Sequence, residues 1–534
     1  MLFGLLTYIG EVQNGIENNS LAFYFSVFLA FWSLHFLTSW RRRQNELAFL
    51  WGTETHDVFE HARPQFVLLA KNPRVSGVEY RLSHITGKVE PMVVDACGTR
   101  TRKVISAITI GICMAGVLLV VVCCQYIKLI PIRGSLYAGK LLGSTLNGVL
   151  ITWFGYVFER VAAALSEFEH PRTESDFEDS MATKGFCLAF VNNFACLFYL
   201  TFARSYPIGA PSLGFPMVNQ SCTTIRTSCD NATVHDAWRE QCVDGEMEVP
   251  SCISDLSFQL AIILVINQVV GGVLEIGIPT SRAKARAMER DGRIKQAQRK
   301  MQLGVDDLDI GEVVHAAYVE AETVMTPYET VSADYKELAV QWGNVLMFAV
   351  AFPLAPLFAF INNIIEIRAD AYKLCHVHRR SEFKTRQDIG AWELVFNTIS
   401  VVAVITNAAL ISFVAAQGAD MWAEAARYDA VSARISDPKL WLVAGVTEHV
   451  VLGLRFILAS MISLTPGWVA GAKSTREAQV SRLVTEHEKE LKAQQYATWK
   501  QAKDEASEKE KLEQEKHEMI SRGTLSLDTQ QLGT

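Results

Sequence analysis

Long apolar runs, many close to twenty residues, alternate along this chain with shorter polar and charged stretches. A helix needs about 20 apolar residues to cross the hydrocarbon of a bilayer. Runs near that length are read as spans at Leu21–Trp40, Val104–Ile127, Ala138–Leu165, Gly185–Ala203, Leu256–Ile278, Leu338–Phe352, Leu354–Tyr372, Trp392–Ala416 and Leu440–Val469. The shorter run Met1–Gly10 is either the end of another span or a cut-down signal sequence. It has neither a basic start nor a small-residue cleavage site, which favours the span. The pattern predicts an all-α polytopic membrane protein, a helical bundle with about nine full transmembrane helices and a partial first one.

Composition agrees, since half of the 534 residues are hydrophobic and the mean hydropathy is positive. The net charge of −7 says little, but its distribution orients the chain. Arg41–Arg43 follow the first full span, and Arg282, Lys284, Arg286, Arg290, Arg293, Lys295, Arg299 and Lys300 follow the Leu256–Ile278 span. Arg379, Arg380, Lys384 and Arg386 follow the Leu354–Tyr372 span. The positive-inside rule makes these loops cytoplasmic, which puts residues 205–255 outside and the C-terminus inside. Cys222, Cys229, Cys242 and Cys252 fall in the outside loop, an even set able to form two disulfides in any of three pairings. The glycosylation sequons at Asn18, Asn219 and Asn231 fall outside too, which fits a plasma membrane or an endomembrane.

The expected organisation is a transmembrane domain over 1–471, with a Cys-rich extracellular loop at 205–255 and a cytoplasmic loop at 280–333. A charged cytoplasmic helix or tail occupies 472–534. In that tail Val480, Leu483, Val484, His487 and Leu491 form a short apolar stripe that fades into Lys and Glu. A solvated helix is the plain reading, and a short coiled-coil contact in a dimer is the other.

Carboxylates interrupt the apolar pattern. Glu366 and Asp370 are four apart within an apolar run, and Asp334 and Glu337 are three apart at the start of the segment before it, so each pair shares a helix face. Glu275 comes from a third helix. A carboxylate in hydrocarbon costs roughly 2.5–3.5 kcal/mol on insertion scales. Protonation, salt bridges or placement in headgroups lowers that cost; a bound cation lowers it further, and hard oxygen ligands on converging helices suit Ca2+ best.

Three other patterns carry candidate chemistry. Gly271 and Gly272 precede Glu275 and serve either tight packing or a hinge; the neighbouring acid favours the hinge. Ser144, Gly148, Thr152, Gly155 and Glu159 share one face of the Ala138–Leu165 span, and Gly185, Ala189, Asn192, Cys196 and Tyr199 share a face of the next. Small and polar stripes allow close helix packing or line a hydrophilic path. Two adjacent stripes beside an acidic cluster make a permeation path through Ser144, Gly148, Thr152, Asn192 and Tyr199 a serious hypothesis. Cys375-His376-Val377-His378 stands before Arg379-Arg380 and reads as a basic juxtamembrane segment, not a metal site. No P-loop, nucleophile elbow, HExxH or Rossmann fingerprint is found, so no enzyme and no nucleic-acid partner is expected.

The run Phe352-Pro353-Leu354-Ala355-Pro356-Leu357-Phe358-Ala359, followed by Asn362-Asn363-Ile364-Ile365-Glu366-Ile367-Arg368-Ala369-Asp370, closely resembles the anoctamin signature. Further matches follow in family order: Trp40-Arg41-Arg42-Arg43-Gln44-Asn45-Glu46-Leu47-Ala48, His170-Pro171-Arg172 with Phe177-Glu178-Asp179, Glu275-Ile276-Gly277-Ile278-Pro279, Asp388-Ile389-Gly390 and Glu448-His449-Val450-Val451. Anoctamins are calcium-activated chloride channels, phospholipid scramblases, or both, and form homodimers of ten-helix subunits. The resemblance implies a Ca2+ site at Glu275, Asp334, Glu337, Glu366 and Asp370 with Asn362 nearby, opening a groove along the fourth to sixth helices. Membrane lipids and chloride or other small anions are the implied partners.

Three departures qualify what the resemblance implies. Gly271 stands where family members usually carry an asparagine ligand, and Asp334 replaces the usual glutamate. The family's N-terminal cytoplasmic domain and most of its first helix have no counterpart here. The alternatives to a calcium-activated channel or scramblase are a mechanically gated cation channel of the related superfamily and a non-conducting membrane tether.

Overall fold

The structure, a computed structural model, describes residues 1–14, 21–71, 78–82, 87, 89–94, 96–128, 136–203, 208–210, 215–218, 225–228, 246–249, 252–272, 277–303, 310–323, 325, 327–328, 331–381, 383–414 and 438–521. It divides into two compact units, Met1–Leu464 and Thr465–Thr534.

In the first unit the apolar runs fold as helices. They are α1 (Leu2–Asn14), α2 (Leu21–Trp51), the short α3 (His56–Phe59) and α4 (Pro64–Ala70), α5 (Ala96–Ile127), α6 (Leu136–Phe168) and α7 (Glu174–Phe198). There follow α8 (Cys252–Gly272), α9 (Ile278–Gln302), α10 (Ile310–Thr323), α11 (Ser332–Met347), α12 (Ala355–Tyr372), α13 (Ala391–Ala409) and α14 (Pro438–Met461). Among the described residues, six segments are long and apolar enough to cross a bilayer: α2, α6 and α14, most of α5, and α7 and α13 with their following π-helical turns. Three expected spans are less regular. Helix α8 is described only to Gly272, α11 has 16 residues, and α12 has 18 and carries Glu366, Arg368 and Asp370. The molecule is an all-α polytopic membrane protein, with small antiparallel hairpins confined to its loops: β1 (Val78–Leu82) with β2 (Val89–Val94), β3 (Ile208–Ala210) with β4 (Phe215–Val218), and β5 (Ile225–Ser228) with β6 (Glu246–Val249).

Burial sorts the spans. Over half of the apolar stretch of α7 and of α13 is buried (56% each), against 17% for α5 and 11% for α14. Helices α7 and α13 therefore lie inside the bundle, and α5 and α14 leave apolar faces for lipid or another chain. The core gathers Phe194 and Leu197 of α7, Leu256, Leu260 and Ile263 of α8, Leu346 of α11 and Ile399 of α13, all nearly fully buried. Phe348 sits beside Phe194 and Phe198 with ring centroids at 6.4 and 5.6 Å.

Helix α11 ends at Met347 and cannot run on into α12, because Pro353 and Pro356 lack the amides that a continuous helix would need. The chain reverses through the buried turn 348–353, closed by the Ala351 and Ala355 amides donating to Phe348 O and Phe352 O at 3.0 Å. Pro356 sits in the first turn of α12, where its missing N–H costs nothing. Helices α11 and α12 thus form an antiparallel hairpin. Its register shows in the 3.4 Å hydrogen bond from Gln341 Nε2 to Ala359 O.

Several stretches that match the family signature meet at one end of α7. Thr173 caps that helix with a capping box, its Oγ1 accepting from the Asp176 amide at 3.1 Å. Asp179 accepts the Ala391 amide at 2.7 Å and so satisfies the start of α13. Gly390 holds φ +60° there, and a Cβ on it would lie 2.2 Å from Asp179 Oδ1, so only glycine fits. Arg386 pairs with Glu178 at 2.5 Å, and Arg63 reaches Glu174 at 2.9 Å and Glu167 at 3.1 Å.

The second unit is mainly α15 (Gly467–Ser521). Its stripe residues Val480, Leu483, Val484, His487 and Leu491 are exposed along the helix.

Candidate transport cavity and acidic cluster

Helices α6, α7, α11 and α12 line a half-open cavity of about 450 Å³. Thr152, Gly155 and Glu159 line it from α6, and Gly185, Ala189 and Asn193 from α7. Asp334, Lys336, Glu337, Gln341 and Asn344 contribute from α11, and Asn362 from α12. Glu159 and Lys336 meet on its wall at 3.3 Å.

The expected path residues take different places. Thr152 lines the cavity, its hydroxyl donating to Gly148 O at 3.2 Å. Gly148 instead faces α8: a Cβ there would come within 2.7 Å of Ile266 Cδ1, so it serves close helix packing. Ser144 is buried elsewhere on α6. Asn192 is buried against α6, donating from Nδ2 to Ile151 O at 2.7 Å, while its neighbour Asn193 faces the cavity. Tyr199 opens the π-helical turn Tyr199–Ala203 after α7. The cavity-lining Asn193, Gln341 and Asn344 were not singled out from sequence. The periodicity that placed Gly185 and Ala189 on one face admits either Asn192 or Asn193 one turn later.

Of the acidic residues, Asp334 and Glu337 lie in the first turns of α11, and Glu366 and Asp370 in the last turns of α12. The antiparallel hairpin brings these two helix ends to the same side. Asp370 Oδ1 is 2.8 Å, and Asp334 Oδ1 3.5 Å, from the ammonium of Lys373, a residue only 5% exposed. Tyr328 donates its hydroxyl to the other oxygen of Asp334. Burial and the neighbouring Asp334 carboxylate both push the Tyr328 phenol up from its ordinary value, so it stays protonated as a donor. As placed, Asp334 and Asp370 pair with Lys373 and Tyr328, and among the described residues no three acidic, histidine or cysteine side chains gather closely enough to hold a metal ion.

The local backbone explains Lys373. Helix α12 passes into a π-helical turn over Lys373–Val377, closed by the His378 amide donating to Lys373 O at 3.1 Å. The turn keeps Lys373 one turn beyond Asp370, on the face turned toward α11. His378 packs edge-on to Tyr328 with ring centroids at 5.7 Å.

Gly271 and Gly272 end the described part of α8, and Glu275 lies outside the described residues. So do Cys222, Cys229, Cys242 and the sequon residues Asn18, Asn219 and Asn231. Cys252 begins α8, but its side chain is likewise not described.

A family model described as "Anoctamin: Calcium-activated chloride channel" matches residues 1–476. Anoctamin-7 of Mus musculus is 30% identical over 404 residues, covering 73% of this chain and 42% of that protein. Anoctamin-4 of Homo sapiens is 29% identical over 404 residues (74% and 38%), and Anoctamin-3 of Mus musculus 28% over 408 residues (74% and 37%). The chain spans about two-fifths of the length of these curated relatives. Since the family match runs unbroken through the cavity helices and the paired acids at its edge, the chain belongs to the anoctamin family.

Proposed function

We propose that the chain is the transmembrane unit of a calcium-activated passive pathway for chloride or other small anions, for phospholipids, or for both. The observation that carries this reading is a shared wall: Asp334, Glu337 and Asn362 line the same cavity as Thr152 of α6 and Asn193 of α7. Charge at the acids is therefore felt in the space through which an ion or headgroup would pass.

The donor set fits a hard cation. Carboxylate and amide oxygens of Asp334, Glu337, Glu366, Asp370 and Asn362 come from two antiparallel helices, and two of the carboxylates already converge on one buried ammonium. These residues, with Glu275, would hold calcium, which supplies positive charge to a cluster that hydrocarbon disfavours. The chain does the rest. Asp334 couples α11 to the end of α12 through Lys373, and Lys336 links the same turn of α11 to Glu159 of α6. Gly271 and Gly272 let the end of α8 bend toward the acids.

In this reading the basic loops and the C-terminus face the cytoplasm, so the acids sense cytosolic calcium. The functional particle is a homodimer in the plasma membrane or an endomembrane, and no chemical reaction is catalysed. The test is reconstitution of the purified chain in liposomes, following lipid flipping and halide flux together. At least one flux should rise with calcium and fall on chelation; two fluxes both indifferent to calcium would overturn the reading.

A further inference from the structure

We propose that Lys373 is a tethered cation that occupies the acidic cluster in competition with calcium and so sets the calcium concentration at which the cluster fills. The inference rests on the calcium reading above.

Three observations carry it. The ammonium lies within 3.5 Å of carboxylates from two different helices, Asp370 at 2.8 Å and Asp334 at 3.5 Å. Lys373 is also almost fully buried, where a lysine is rarely found without a partner of opposite charge. Finally, the π-helical turn that begins at Lys373 holds its backbone, its own amide donating to Ala369 O and Asp370 O. An ammonium so placed does what a metal ion does: it offsets two carboxylates that would otherwise repel each other across the α11–α12 gap.

The two cations exclude one another. Calcium takes oxygen ligands at about 2.3–2.6 Å, so a calcium ion on Asp334 and Asp370 would stand within a few ångströms of the ammonium. At that separation like charges repel strongly in a poorly solvated site. Filling the cluster therefore requires the lysine side chain to swing out, and its ion pairs with Asp370 and Asp334 are lost. Removing the lysine charge removes that competition.

The experiment uses the full chain purified in detergent, with calcium binding measured by titration calorimetry for wild type, Lys373→Met and Lys373→Gln. Both variants should bind calcium roughly ten-fold or more tightly, the size expected for losing a charge-assisted contact that opposes binding. Their calcium-free forms should also melt earlier than wild type and recover when calcium is added. The wild-type protein supplies an independent reading: acetylation of Lys373 by a water-soluble amine reagent, followed by mass spectrometry, should increase when calcium is present. Calcium affinity that is equal or weaker in both variants, or Lys373 labelling that calcium leaves unchanged while binding is observed, would overturn the competition alone. Absence of calcium binding in wild type and both variants would overturn the calcium site itself, and the competition with it.

Discussion

Glu159 of α6 and Lys336 of α11 form an ion pair at 3.3 Å on the wall of the cavity between α6, α7, α11 and α12, and Lys336 stands between Asp334 and Glu337 in sequence. The pair draws two walls together on the same helical turn that presents the acids. Both side chains are partly exposed, at 44% for Glu159 and 23% for Lys336, so its strength is at most about 1 kcal/mol. Breaking it should raise calcium-free transport by no more than about five-fold. Glu159→Gln and Lys336→Met should act in the same direction, and the swap Glu159→Lys with Lys336→Glu should restore the low basal level. Opposite effects of the two single variants would mean that the charges act separately and not as a latch.

Glu366→Gln and Asp370→Asn should each shift the half-maximal calcium concentration of transport upward by roughly ten-fold or more, since each removes a charged oxygen worth about 1.5–3 kcal/mol. Neither substitution alters side-chain volume appreciably, so Glu366→Gln should hold its folded yield, while Asp370→Asn also removes the nearer charged partner of Lys373 and should lower thermal stability. Calcium titration of liposome flux is the measurement. An unchanged midpoint in both variants would remove these residues from the site.

Gly271 offers a gain-of-function test. If it stands in place of an asparagine ligand, Gly271→Asn should lower the calcium midpoint by restoring an oxygen. It should also stiffen the end of α8 slightly, by a few tenths of a kcal/mol of helix preference, which would show separately as a changed maximal rate. A raised midpoint would indicate that Gly271 serves bending alone.

Gly390→Ala should destabilise the bundle by about 1–3 kcal/mol, because alanine meets both an unfavourable backbone conformation and the Asp179 carboxylate. Thermal unfolding of the purified protein checks this. A melting temperature equal to wild type would mean that the start of α13 is held by something other than Asp179.

Mass spectrometry of non-reduced protein should find Cys222, Cys229, Cys242 and Cys252 paired in two disulfides, with Asn219 or Asn231 carrying glycan. Free thiols at all four positions, with both asparagines unmodified, would invert the orientation and leave the acids facing the wrong compartment.

Much of this architecture is legible in the sequence. Apolar runs located the long spans, and three- and four-residue spacing put each acid pair on one face. The spacing of Gly148 and Thr152 marked one stripe, yet the first packs on Ile266 and only the second lines the cavity. Periodicity fixes a face but not what lies opposite it. Lys373 carried no signal, because a lysine just past an apolar run ordinarily snorkels to water. Its burial depends on the π-helical turn and on Asp334 arriving from another helix, both of which are tertiary facts.

The buried turn at Phe348–Pro353 joins α11 and α12 as the closed end joins the arms of a pair of tongs. Each arm is a rigid helix, and α11 alone, at 16 residues, reaches about 24 Å from the turn. The acids sit at the far tips, where a change of about 5° in the angle between the arms would alter the tip separation by about 2 Å. That is comparable to the difference between a carboxylate touching a cation and one a water molecule away. Close packing makes the turn stiff: Gly4 of α1 lies against it so tightly that a Cβ would strike Pro353 O. With the turn anchored at one end, the spacing of the two helix tips at the other is left to the cation that Asp334 and Asp370 share, Lys373 as placed here.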